Sequence, residues 1–296
     1  MRAHLICLPC TVRAAYDIAT KATTDEESQG KVVGETLKWL TESPDLLGTS
    51  PAALHTYVFR LAQKITGNRD PFEQLKRVSN EVAMRVIPVL ERECNQKEFK
   101  EAFRLAALGT ICGNTIDFEV EGHRLSMDDL ESSLVTCLSG DLAADDTAKL
   151  MNVLSGSRKV LYLLDNAGEI VFDKFFIKMI SENYPVKVWA AVKGGPILND
   201  ATMEDATTVG LEEVAEVITT GSDHIGLKID ECSEEFLTHL HNSDIIIAKG
   251  QGHYESMMEV EHLLQKPIAY ILRAKCISVA ETLGVPHHGN VVKVVT

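Results

Sequence analysis

Short apolar runs rich in β-branched and aromatic residues recur through the second half of the chain, at 159–164, 186–192, 213–219, 244–248, 267–272 and 290–295. Stretches with apolar residues at helical spacing separate most of them, at 171–182, 204–209, 232–239, 260–264 and 276–283. Strands that alternate with helices need parallel crossovers, so this half predicts an α/β, doubly wound, mainly parallel sheet. The first half has a helical period over 11–22, 32–40, 52–65, 70–89 and 97–108, with one more helix expected over 142–154. Ser50-Pro51 supplies a cap and a first-turn proline for the third of these, and Gly67 a stop. The character changes near Ser155-Gly156, which predicts a mainly helical N-terminal domain over 1–155 and an α/β domain over 156–296.

The most informative run is 160–171. Its apolar strand ends abruptly in Asp165-Asn166, Ala167-Gly168 turns the chain, and Glu169 opens the next apolar stretch. Polar atoms therefore stand at the carboxyl end of a strand, where open α/β sheets place their ligand crevice. Two other strand ends are as polar. The run 188–192 is followed by Lys193-Gly194-Gly195, Asn199-Asp200 and Asp205, and the run 245–248 by Lys249-Gly250-Gln251-Gly252-His253-Tyr254-Glu255. Each alone has an ordinary reading as a turn, a helix cap or a surface lysine. Together they supply two carboxylates and an amide carbonyl, the hard oxygen donors that Mg²⁺ or Mn²⁺ prefers. A lysine at a strand end offers a point charge for phosphate, and the nearby glycines let backbone amides approach an anion.

Charge and composition narrow the classes. The 296 residues are 45% hydrophobic, enough for a real core, and carry a net charge of −14, which argues against a nucleic-acid footprint. No apolar run approaches the roughly 20 residues that span a bilayer, and the N-terminus turns polar too early for a signal peptide. These features predict a soluble cytoplasmic protein without a membrane partner and leave homo-oligomerisation open. Seven scattered cysteines make a poor disulfide framework and suit a reducing compartment. Cys7-x-x-Cys10 is half a zinc site or a redox pair; a structural role is favoured, with a structural metal at Cys7 and Cys10 as one form of it. The alternative is that Pro9 prevents a regular helix there and the thiols pack as small hydrophobes.

Ordered motifs span nearly the whole chain: Cys7-Leu-Pro-Cys10, Asp70-Pro-Phe72 with Lys76 and Asn80, Gly113-Asn114 with Asp117, Asp165-Asn-Ala-Gly-Glu169 with Asp173, Lys193-Gly-Gly-Pro196, Asn199-Asp-Ala-Thr202 with Asp205, and Lys249-Gly-Gln-Gly252 with Tyr254-Glu255. On these the chain resembles the metal-dependent damage-control phosphatases, long called domain of unknown function 89, and especially their stand-alone microbial members. The resemblance implies a helical N-terminal part covering a Rossmann-like sheet. It implies a divalent metal (Mg²⁺, Mn²⁺, Co²⁺ or Ni²⁺) on Asp165, Asn166 and Asp200. It further implies a small phosphorylated metabolite as substrate, a sugar phosphate or a damaged or surplus phosphometabolite, with Lys249 on its phosphate and Asn114, Asp117 and Glu169 lining the pocket. Gly250 and Tyr254 match beside Lys249, whereas His253 stands where many relatives have Asn.

The expected reaction is phosphate-monoester hydrolysis by in-line attack, with Asp165, Glu169, Asp117 and Lys249 as the catalytic set. Glu169, Asp117 or Asp205 would be the general base, and Asp165 either ligates only or attacks phosphorus itself. A phosphotransferase or nucleotide-binding enzyme is the second reading, although neither Gly-x-x-x-x-Gly-Lys-Ser/Thr nor Gly-x-Gly-x-x-Gly follows the first clear strand. A non-catalytic metal-binding regulator is the third.

Overall fold

The computed structural model describes residues 1–113 and 127–296. Helices α1 (Cys7–Ala22), α2 (Glu26–Glu42), α3 (Pro51–Thr66), α4 (Glu73–Asn95), α5 (Phe99–Cys112) and α6 (Met127–Leu138) come first. The chain then continues through β1 (Leu142–Asp145), α7 (Thr147–Gly156), β2 (Lys159–Leu163), α8 (Glu169–Asn183), β3 (Lys187–Val192), α9 (Met203–Val209) and β4 (Glu216–Thr219). It closes with α10 (Glu234–Asn242), β5 (Ile245–Lys249), α11 (Gly250–Met257), α12 (Glu261–Leu264), β6 (Ile268–Arg273), α13 (Ile277–Leu283) and β7 (Asn290–Val295).

The seven strands form one sheet in the order β1-β7-β6-β5-β2-β3-β4. All neighbours are parallel except β6 and β7, which run antiparallel. From β2 the chain winds outward through β3 and β4 on one side. It returns to β5 on the other side, so the winding reverses between β2 and β5. That reversal is the switch point at which doubly wound sheets open a crevice.

Alternation along the strands sends successive side chains to opposite faces. Val160, Tyr162, Val188, Ala190, Ile245 and Ile247 share a core with residues of α4, α5, α6 and α8. Leu161, Leu163, Trp189, Ala191, Ile246 and Ala248 meet α10, α11 and α13 on the other face. Helices α1, α2 and α3 keep a smaller core of their own, which Ile197 and Ile225 join from the loops after β3 and β4. Those helices therefore lie over the carboxyl edge of the sheet. Arg60 of α3 clamps them there, with Nη2 at 2.5 Å from both Asp223 and Glu231.

Four local expectations change. The stretch 142–154 is not one helix: its first residues are β1, and helix begins only at Thr147. Pairing with β7 overrides the helical preference of Leu-Ala-Ala, because the edge of the sheet supplies partners for its amides. Pro9 does not break the N-terminal helix; it sits in the first turn of α1, where the missing N–H costs nothing. The segment after Lys249 is helix α11 despite two glycines. Cys112 and Cys137 are disulfide-bonded, with Cα atoms 5.9 Å apart, contrary to the expectation of thiols only. Packing of α5 and α6 on one core brings together two cysteines that lie 25 residues apart in the chain.

Candidate active site

The apolar strand β2 delivers Leu163 and Leu164 into the core and then releases Asp165 at the sheet edge. The turn that follows is tied to the loop after β3. Ala201 N–H donates to the Asp165 carbonyl at 2.7 Å, and Ala167 N–H donates to the Asn199 carbonyl at 2.9 Å. Asn166 and Asp200 form an isolated antiparallel bridge, so these two residues are held as cross-strand neighbours. Gly168 then opens α8 at φ 78°, with Glu169 in the first helical turn.

Neither Asp165 nor Asp200 is spent on capping. Gly168 precedes α8 without a side-chain cap, and Thr202 precedes α9. The Asp205 carboxylate accepts from the Thr202 N–H at 2.9 Å and its hydroxyl at 2.8 Å. Asp205 also accepts from Asn80 Nδ2 at 2.8 Å and faces Lys76 at 3.8 Å. Asn80 Oδ1 in turn takes the Gly168 N–H at 2.7 Å. Asp205 is therefore a strut between α4, α9 and the Asp165 turn, with both oxygens engaged and poorly placed for proton abstraction.

Asp165, Asn166, Glu169 and Asp200 converge. Asn166 Nδ2 donates to Asp165 Oδ2 at 2.8 Å and reaches Glu169 Oε2 at 3.4 Å. Burial, reinforced by the charges of Glu169 and Asp200, holds the Asp165 carboxyl well above the usual carboxylate range. Burial also lifts Asp200 to about 6, against the pull of Lys193 at 3.5 Å. Asp200 Oδ2, the oxygen facing Lys193, is buried and accepts no hydrogen bond from the described residues. The buried lysines Lys76, Lys193 and Lys249 are outnumbered by the buried Glu169, Asp173, Asp200 and Asp205 together with the half-buried Asp165. Such a surplus of buried oxygen charge, with an acceptor left without a hydrogen bond, fits a hard divalent cation. Among the described residues no three His, Cys, Asp or Glu side chains are gathered as a metal cage. The donor set here is two carboxylates and one amide, which leaves positions for water and substrate.

Lys249, expected on the substrate phosphate, pairs with Glu169 of this cluster. Its ammonium is 0% exposed, paired with Glu169 Oε1, 3.0 Å from Asp173 Oδ1 and 3.4 Å from the Thr110 carbonyl. Burial alone would favour its neutral form, but Asp173 and Glu169 carry its pKa above the ordinary value. Burial raises Asp173 to about 7, and Tyr162 donates to it at 2.6 Å. Lys249 thus holds Glu169 in place. Gly250, next in the chain, has φ 78°, and a Cβ there would collide with the Asp165 carboxylate. No other residue fits between β5 and that carboxylate. Tyr254 is not brought to this cluster; its ring is 3% exposed and packs edge-on against Tyr270 in the core. His253 is buried, with Nδ1 2.7 Å from the Lys249 carbonyl, and burial and then Lys193 hold it neutral. Asn114 and Asp117 lie outside the described residues.

One residue carries a role that the strand-end pattern did not single out. Lys275 follows β6, is exposed, and its charge lowers the pKa of Asp165. Its signal in the sequence is faint, a lysine two residues past a strand end with no glycine beside it.

The damage-control phosphatase ARMT1-like domain matches residues 3–291. The chain belongs to this family. It is 42% identical to an uncharacterized protein of Methanocaldococcus jannaschii over 96% of this chain and 93% of that one. Proteins named damage-control phosphatase from Archaeoglobus fulgidus and Pyrococcus horikoshii are each 35% identical, over 100% and 97% of this chain and 100% and 96% of theirs. A crystal structure of a DUF89 family protein from Pyrococcus horikoshii superimposes with a TM-score of 0.89 at 34% identity, covering 99% of this chain and 98% of that chain. Family membership supports a phosphatase role, and the resemblance drawn from the motifs is that of the family model.

Proposed function

We propose that the chain hydrolyses phosphate monoesters of small metabolites with the help of a divalent metal. The observation that carries this reading is the meeting of half-buried Asp165 with buried Asn166 and Asp200 at the switch point, where Asp200 Oδ2 accepts no hydrogen bond from the described residues. These three residues would hold the ion, and Mg²⁺, Mn²⁺, Co²⁺ or Ni²⁺ suits their oxygen donors. When bound, such an ion supplies Lewis-acid charge at a phosphate oxygen.

The chain's own residues account for the remainder. Lys275 reaches the substrate phosphate from the end of β6. Glu169 is the general base: Lys249 occupies Oε1, while Oε2 has only the 3.4 Å contact with Asn166. A water attacks phosphorus in line, its proton passes to Glu169, the bond from phosphorus to the ester oxygen breaks, and the alcohol takes up a proton as it leaves. Lys249 holds the Glu169 carboxylate in position through Oε1.

Asp200→Ala should abolish metal-dependent phosphate release while the circular dichroism spectrum stays native. Undiminished release by this variant would sink the assignment of the ion. No release from any phosphate ester by the parent protein, with each of the four metals in turn, would sink the phosphatase reading itself.

A further inference from the structure

A cavity of about 400 Å³ opens between α1, α3, α11 and the loop after β6. It shares walls with the site above. Gln251 and Gly252 line it directly after Gly250, which abuts Asp165. Leu198 lines it two residues before Asp200, and Lys275 lines it while acting on Asp165. Much of the remaining lining is apolar: Ala52, Ile225, Ile6 and Ile277 face it. Ile6 and Ile277 are 62% and 60% exposed, two of the largest apolar surfaces the chain shows to solvent. Such exposure beside a concavity marks a place where something apolar is covered.

Five titratable groups of this lining are pushed toward their neutral forms. Burial holds His55 below its ordinary pKa and lifts Glu255 to about 7. The Cys7, Cys10 and Cys276 thiols are raised, each first by burial. The cysteine pair read from the sequence thus contributes soft, uncharged wall, joined by a third thiol from the other end of the chain. The cationic Lys275 marks the end of the cavity nearest Asp165.

We infer that this cavity receives the organic part of the substrate, and that the preferred substrates are phosphate monoesters with an uncharged, apolar body instead of sugar phosphates or phosphates bearing a second anion. The inference rests on the phosphatase reading. An ester lying with its phosphate at Lys275 and Asp165 would place its body against Leu198, Ile225 and Ile277. Among the described residues a sugar's hydroxyls would meet mostly apolar wall. Gln251 is already committed, donating to Glu255 at 2.8 Å and accepting from the Lys275 N–H at 3.0 Å. His287 Nε2 lies 3.0 Å from the Lys275 carbonyl, which leaves His55 and Ser278 to offer polar groups. Hydroxyls left without partners lose binding.

The test compares 1-naphthyl phosphate, ribose 5-phosphate and methyl phosphate as substrates. The expected result is a kcat/KM for 1-naphthyl phosphate roughly tenfold or more above that for ribose 5-phosphate. Ile277→Asp, at an exposed position, should raise KM for 1-naphthyl phosphate about tenfold more than it raises KM for methyl phosphate. Ala52→Phe, which fills the cavity, should do the same. Independently of turnover, the non-hydrolysable 1-naphthylmethylphosphonate should slow alkylation of the exposed Cys10, and inorganic phosphate alone should not. Ribose 5-phosphate turned over as well as the naphthyl ester, with neither variant discriminating, overturns the inference and leaves the phosphatase reading intact. If no ester is turned over the phosphatase reading fails, and unslowed alkylation of Cys10 by the phosphonate probe overturns the cavity assignment separately.

Discussion

At the scale of the residue, two positions show how closely side chains and backbone are fitted. Gly250 has φ 78° and no room for a Cβ beside Asp165. Gly250→Ala should displace the Asp165 carboxylate and lower kcat/KM at least about a hundredfold, by the logic that a misplacement of about 1 Å costs that much. Thermal unfolding should show a loss of only about 1–3 kcal/mol, the cost of one strained residue. Glu255 sets a different expectation. Burial lifts its carboxyl from 4.5 to about 7, against the Gln251 amide and the N-terminal ammonium. Between those values the folded chain keeps a proton that the unfolded chain releases. The residue's contribution to stability is therefore full below the unfolded value and falls as pH rises through the folded one. Glu255→Gln should flatten the pH dependence of stability by about 3 kcal/mol, since each tenfold difference in proton affinity between the two states is worth ~1.4 kcal/mol. Urea unfolding at about pH 5 and about pH 8 measures it, and the same pH dependence in both proteins would refute the assignment.

At the scale of elements, the site is a matter of loops laced to one another and braced from below. The loop after β3 grips the loop after β2 through Ala201, Ala167 and the bridge of Asn166 with Asp200. Asn80 and Asp205 brace that pair from α4 and α9. Asn80→Ala leaves the Gly168 N–H and one Asp205 oxygen without their buried partner, a loss of about 1–3 kcal/mol by equilibrium unfolding. As a positioning residue it should weaken metal binding in calorimetry as well, whereas Asn80→Asp, which keeps the acceptor for Gly168, should recover part of the affinity. Six of the seven strands were legible from the alternation of runs, because parallel strands covered on both faces read as short continuous apolar runs that stop at polar turns. Strand β1 was not, since Leu-Ala-Ala-Asp favours helix and only the waiting edge of β7 makes it a strand. Helix α11 was hidden by glycines that serve the close approach to Asp165 and to Ile225 and Gly226.

At the scale of the molecule, one continuous core binds α4, α5 and α6 to the same sheet face as α8, so these N-terminal helices are part of the platform that supports the site. The disulfide between Cys112 and Cys137 adds a covalent link within this layer. Cys137→Ser, compared with the parent under non-reducing conditions, should lower the free energy of unfolding by about 3 kcal/mol, the loop-entropy scale for such a separation. Alkylation under denaturing conditions should find five thiols in the parent, corresponding to the free Cys7, Cys10, Cys94, Cys232 and Cys276. Modification of Cys112 and Cys137 as well would show that the pair is reduced. Among the described residues no helix is long and apolar enough to cross a membrane.

The order of residues alone determined the alternation of strands and helices and the polar groups at three strand ends. Both are local patterns, set by side-chain period and by where an apolar run stops. The tertiary structure decided which groups meet. It seated Asp165 beside Gly250 by reversing the winding between β2 and β5, and it gave Lys249 two buried partners, Glu169 and Asp173. It spent Asp205 on Asn80 and Thr202, joined Cys112 to Cys137, and brought Cys276 to the cavity of Cys7 and Cys10. The reason for the polar groups is the same in each case. Burial makes an unpaired charge or donor costly, so a polar group's role is fixed by the neighbours that folding brings to it from distant parts of the chain.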